Sequence, residues 1–292
     1  MKNSISLKTK IALLLTISFW SSAFVGIRMG LQTYSPGGSG LLRFIVASVC
    51  MFLFYQKFSK KEYIPLKDKI LLLITGAVGI GLYHVALNYG ELSVPSGVAS
   101  FIISQSPIIT SIFAVLFLSE SVSRFGFLGM IISLFGVLLI SISHTQGFSF
   151  DKGLFYIAFA TVVGSFYSII QKPFLKKYDL LDITAYLVWG GTFMLVIYFP
   201  DLKQDYANAS LASTLAIIYL GIFPGAIAYI AWSFILKEIP ASKAVSFLYF
   251  MPILATLLGW IGLGEVPVIM SLIGGLIALF GVWVVNKWGK IA

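Results

Sequence analysis

Apolar residues fill this 292-residue chain in long, nearly unbroken runs, without the strict alternation of a half-buried strand or the single apolar stripe of a soluble helix. A hydrocarbon core about 30 Å thick is crossed by roughly 20 residues of helix. Runs near that length fall at 11–31, 40–56, 69–89, 96–118, 125–143, 153–171, 183–199, 210–236, 242–263 and 267–286. The pattern predicts an all-α integral membrane protein of ten transmembrane helices joined by short loops. An even number of crossings places both termini on one side. The basic opening followed by the first run resembles a signal peptide, but the run continues past Trp20 to Arg28 and further runs follow, so it reads as a retained first helix.

Composition sharpens this reading. Only 11% of the residues are charged and 59% are hydrophobic, which is too little polar material for a soluble surface. The formal charge of +9 lies in short clusters between apolar runs. That is a mark of membrane orientation and not of a nucleic-acid partner. With the N-terminus inside, 16 of the 20 basic residues fall on inner segments, while outer loops hold only Lys152 and Lys203. Arg28 and Arg43 are placed at the outer ends of the first two helices. The orientation is therefore N-in, C-in. Cys50 is the lone cysteine, so the chain has neither a disulfide framework nor a thiol cluster, and no cofactor is expected.

The chain also repeats itself. Pro95, Pro107, Glu120, Gly129, Phe135 and Gly136 recur as Pro240, Pro252, Glu265, Gly274, Phe280 and Gly281, all at an offset of 145. Two halves, 1–147 and 148–292, each carry five spans. Because five is odd, the second half must enter the membrane from the opposite side: an inverted-topology repeat. Proteins of this design place a substrate near the midplane between repeats and alternate access by rocking one against the other.

Each half has a mid-helix proline, an apolar run ending in Ser119-Glu120 or Gly264-Glu265, and then a glycine-bearing helix with Gly129 and Gly136 or Gly274 and Gly281. Together with Leu42-Arg43-Phe44, these features resemble the EamA group of the drug/metabolite transporter superfamily over essentially the whole chain. The resemblance implies export of small metabolites or drugs through a multi-pass protein of the cell membrane, the inner membrane in a bacterium. It departs at Ser119, where glycine is usual, and in the apolar stretch around Tyr186 that stands opposite Arg43.

Polar and aromatic residues at membrane depth are the candidate chemistry, since such groups normally face a protein interior or an aqueous cavity. The candidate substrate-binding residues are Trp20, Ser21, Tyr83, His84, Asn88, Gln105, Tyr167, Tyr229, Trp232 and Tyr249, with Ser104 and Gln171 nearby in the pattern. His84 and Tyr229 stand at the 145 offset, which favours a shared central cavity. Pro107 and Pro252 each remove a helix hydrogen bond and are candidate hinges. Glu120 and Glu265 read as caps at a helix N-terminus. The small residues Gly126, Gly129, Ser133 and Gly136, matched by Ser271, Gly274, Ala278 and Gly281, form a close-packing seam between halves or between subunits, so the chain is a monomer or a homodimer.

A small amphipathic solute such as an amino acid suits the aromatic lining. No acid is assigned to the midplane, leaving His84 as the one proton carrier at depth, and facilitative transport is expected. A membrane-embedded enzyme is the alternative class, but no Gly-x-Ser-x-Gly, paired intramembrane aspartates or His-Glu-x-x-His occurs. A passive channel would call for a charged ring or a carbonyl filter, neither of which the sequence shows.

Overall fold

The computed structural model describes residues 6–118, 123–145, 151–239 and 241–288. Ser119, Glu120 and Pro240 lie outside the described residues. Among the described residues every regular element is helical. The helices are α1 (Leu7–Gly30), α2 (Pro36–Phe58), α3 (Leu66–Gly90), α4 (Ser96–Ile103), α5 (Ser106–Leu118), α6 (Arg124–Thr145), α7 (Lys152–Lys177), α8 (Leu180–Asn208), α9 (Leu211–Glu238), α10 (Ala241–Ser246), α11 (Met251–Leu263) and α12 (Ile269–Trp288). Six of them, α1, α2, α3, α7, α8 and α9, are long and apolar enough to cross a membrane, and shorter apolar stretches run over Arg124–Ile140, Phe247–Leu263 and Ile269–Val284.

Helix starts follow local chemistry. Ser6, Ser35, Asp151, Asp179 and Ser210 each accept a hydrogen bond from a backbone N–H of the turn that follows. Each side chain thereby satisfies a donor that would otherwise be orphaned. Ser6 and Asp151 are themselves 145 apart, so the repeat extends to the capping chemistry.

Two spans that read as continuous in the sequence are broken. The helix over 96–118 is interrupted at Ser104–Gln105, and the one over 241–263 by a 3-10 turn at Phe247–Phe250. These breaks match at the repeat offset. Pro107 and Pro252 then fall in the first turns of α5 and α11. Proline is tolerated there because its missing N–H would have had no intrahelical partner. The prolines therefore restart half-helices and do not kink continuous ones.

The two halves interleave. α1 packs chiefly on α9 and α11, α3 on α7 and α8, and α6 on α12. The α6–α12 contact is the small-residue seam, and it joins the halves within one chain. A Cβ on Gly136 would lie 2.4 Å from Ala278 N and 2.5 Å from Gly274 O; one on Gly281 would lie 2.4 Å from Ser133 N and 2.6 Å from Gly129 O. Adding or subtracting 145 converts one set of contacts into the other. The seam is thus reciprocal, with van der Waals contact of backbones supplying attraction that burial from lipid cannot.

Ionic ties cluster at the two ends. At one, Lys177 Nζ lies 2.7 Å from Asp68 Oδ2, Tyr178 also donates to that carboxylate, and Lys172 Nζ donates to the α9-end carbonyls of Leu236 and Ile239. At the other, Arg28 Nε lies 3.0 Å from Glu265 Oε1, while Glu265 Oε2 accepts from Ser96 N at 2.9 Å and Ser96 Oγ at 2.6 Å. Glu265 therefore caps α4 of the other half, whose own N-cap position is Pro95 and supplies no side-chain acceptor.

Candidate functional site

The site is built on two helix irregularities. α3 widens into a π-helical turn at Ala77–Leu82 and α9 does so at Phe223–Ile227, the same region of each repeat. Gly79 and Gly81 in one turn, and Pro224 and Gly225 in the other, supply the backbone latitude and the missing donor that favour such a turn. Carbonyls of both turns then serve side chains. His84 Nδ1 lies 2.8 Å from Ile80 O, and Trp20 Nε1 donates to Pro224 O at 3.2 Å. A carbonyl only accepts, so Nδ1 of His84 carries a proton. The polar edge of each ring is thereby fixed and the remaining surface is presented inward.

Between these turns lies a cavity of about 80 Å³. It is lined by the candidate residues Trp20, Tyr83, His84, Tyr167, Tyr229 and Trp232, drawn from α1, α3, α7 and α9, and by Ser106 and Ser168. The rings form one connected set. Trp20 lies 5.6 Å from Tyr229 and 5.3 Å from Trp232, and Tyr83 lies 4.7 Å from His84. His84 and Tyr229 approach to 6.4 Å, and Tyr167 lies 6.2 Å from Tyr229. Three of these pairs, Trp20–Tyr229, Tyr83–His84 and Tyr167–Tyr229, are edge-to-face and the other two are tilted; aromatic pairs at such separations contribute about 0.5–1.5 kcal/mol apiece beyond burial. Tyr167 reaches its place across Gly79, where an added Cβ would meet its ring at 2.4 Å.

Four candidates stand apart from this cavity. Ser21 donates to Ile17 O of its own helix, and Asn88 Nδ2 donates to Pro36 O, tying α3 to the start of α2. Gln105 sits at the α4–α5 break, its Nε2 on Phe101 O and its Oε1 facing Ser133 Oγ at 2.5 Å. Tyr249 packs against Ile108, Met130 and Val282. Gln105 thus serves the break and the seam, and Tyr249 a satellite core.

Two charged residues lie elsewhere than expected. Arg43 is not at the end of its helix: α2 begins at Pro36, seven residues earlier, which sets Arg43 about 10 Å inside at 1.5 Å per residue. It is 3% exposed, and among the described residues it is the one charged residue lining the cavity. Its Nε and Nη1 are buried without a hydrogen-bond partner among the described residues, and its guanidinium carbon lies 5.5 Å from the Phe44 ring centroid. Glu91, expected in an open loop, is fully buried, and neither carboxylate oxygen finds a hydrogen-bond partner among the described residues. The sequence showed both as charges near the ends of apolar runs; α2, which carries Arg43, packs chiefly on α8 and α9 of the other half.

The geometry is that of a central, aromatic, largely apolar chamber between two interleaved helical sets. The EamA-like transporter family matches residues 7–142 and again residues 151–287. The chain belongs to the EamA-like transporter family. Among its relatives, "Uncharacterized transporter YdfC" of Bacillus subtilis is 36% identical over 281 residues, covering 95% of this chain and 92% of that protein. "Probable terminal-alkyne amino-acid exporter" of Streptantibioticus cattleyicolor is 31% identical over 276 residues, covering 94% and 92%. A solved crystal structure superposes with a TM-score of 0.71 at 17% identity, covering 96% of this chain and 97% of the other, and supports the fold. As an EamA-like transporter with six or more apolar helices, the chain is a multi-pass membrane protein, and its family points to a small-molecule substrate.

Proposed function

We propose that this protein exports a small amphipathic metabolite, an amino acid or a close relative, by alternating access at the cavity between its two repeats. In this reading the ten apolar segments all cross the membrane, both termini are cytoplasmic, and the halves 1–147 and 148–292 are inverted copies. The observation that carries it is the pair of matched π-helical turns whose carbonyls orient Trp20 and His84 at the cavity wall. Discontinuous helices at a repeat interface are where transporters of inverted design bind their substrates. The amino-acid exporter among the relatives supports the substrate class.

The cavity of about 80 Å³ has room for several waters, so a larger solute requires its walls to part. The half-helices that restart at Pro107 and Pro252 are the proposed hinges. Uptake by proteoliposomes of a panel of amino acids, purines and cationic drugs, with and without a pH gradient, tests the proposal. Saturable uptake of amino acids is expected. Uptake confined to purines or cationic drugs contradicts the substrate class.

A further inference from the structure

We propose that Arg43 anchors a carboxylate group of the transported solute. This inference rests on the transport reading above and adds to it a residue and a chemical requirement. A guanidinium buried at membrane depth is costly unless something offsets its charge and its hydrogen bonds. Arg43 is 3% exposed on the wall of the central cavity, and its Nε and Nη1 lack partners among the described residues. A guanidinium carries five N–H donors in a planar fork, and a carboxylate can accept from two of them at once.

The described residues do not supply that carboxylate at the cavity wall. Among the described residues no acid lines the cavity, and Glu91, which is also buried, has both carboxylate oxygens without hydrogen-bond partners there. The position equivalent to Arg43 in the second half is Val188, so the cation is present once and a solute with one acid group is matched. A phosphate would call for several donors, and the remaining wall is mostly aromatic and aliphatic. The charge therefore fixes one end of the solute, while Trp20, Tyr229 and Trp232 face its apolar remainder.

The test is uptake of labelled L-phenylalanine and L-phenylalaninamide, which differ at the carboxyl group, by proteoliposomes holding the full chain as wild type, Arg43→Lys or Arg43→Gln. Wild type is expected to half-saturate with the acid at a concentration about tenfold or more below that for the amide. Arg43→Gln is expected to lose this preference while still moving the amide, which shows that the variant is folded. Arg43→Lys, retaining the charge, is expected to keep a reduced preference should the neutral variant fail to insert. Equal handling of acid and amide by wild type, or an undiminished preference in Arg43→Gln, overturns the assignment while leaving transport intact. Uptake of neither compound by wild type overturns the amino-acid reading and the anchor together.

Discussion

His84 and Tyr229, 145 positions apart, face one another with ring centroids 6.4 Å apart, so equivalent positions of the two repeats meet across the cavity they line. A chamber lined by residues from both halves of the chain loses its shape when either half moves. The expected consequence is that its ring set, and not every polar residue at depth, governs transport. Trp20→Ala and Trp232→Ala should each reduce uptake about tenfold, near the upper end of what one aromatic contact contributes. Ser21→Ala and Tyr249→Ala should change it little. Initial uptake rates normalised to inserted protein decide this, and equal losses in all four variants would count against a site at this cavity.

Gly79 permits a second test. A methyl group there would meet the Tyr167 ring at 2.4 Å, so Gly79→Ala should displace that ring toward the chamber. Overpacking of this kind costs about 1–3 kcal/mol. Uptake is expected to fall with insertion retained, and removing the ring in Gly79→Ala/Tyr167→Ala should restore part of the stability. Additive losses in thermal stability of the purified protein would contradict the steric explanation.

The seam makes a symmetric demand. Gly136→Ala and Gly281→Ala each press a methyl group into backbone of the opposite helix at about the same distances. Both should lower thermal stability, by similar amounts of about 1–3 kcal/mol. Melting curves in detergent measure this directly. A marked loss in one variant with none in the other would show that the reciprocal contact is not what holds α6 to α12.

The long apolar runs, the offset of 145 and the seam residues were legible in the sequence because each is a one-dimensional pattern. Trp20, Tyr83, His84, Tyr167, Tyr229 and Trp232 were legible for a related reason: aromatic and polar groups at depth have few tolerable places. Ser21, Asn88 and Gln105 share that signal but satisfy backbone carbonyls or helix joints, a distinction that depends on side-chain direction. Arg43 was misplaced because its apolar run was started at 40, after the small residues Gly37, Gly38 and Ser39 that the helix already includes. The π-helical turns left only glycines and a proline as traces, and those residues occur in many membrane helices without such turns.

Orientation is checked by labelling. In a Cys50→Ala background, a cysteine at Lys60 should react with a membrane-impermeant thiol reagent only after the cytoplasmic face is opened. The basic clusters near Lys57 and Lys177 underlie that expectation. Labelling from outside intact cells would reverse the topology.

Counterflow in proteoliposomes tests the central claim most directly, because a carrier that alternates around one cavity exchanges internal for external solute and a pore does not. Vesicles preloaded with unlabelled L-phenylalanine and diluted into a trace of labelled L-phenylalanine should show a transient accumulation of label above equilibrium with wild type. That overshoot should be lost in Trp20→Ala. Uptake that rises linearly with concentration and shows no overshoot, or an overshoot undiminished in Trp20→Ala, would contradict alternating access at the cavity between the repeats.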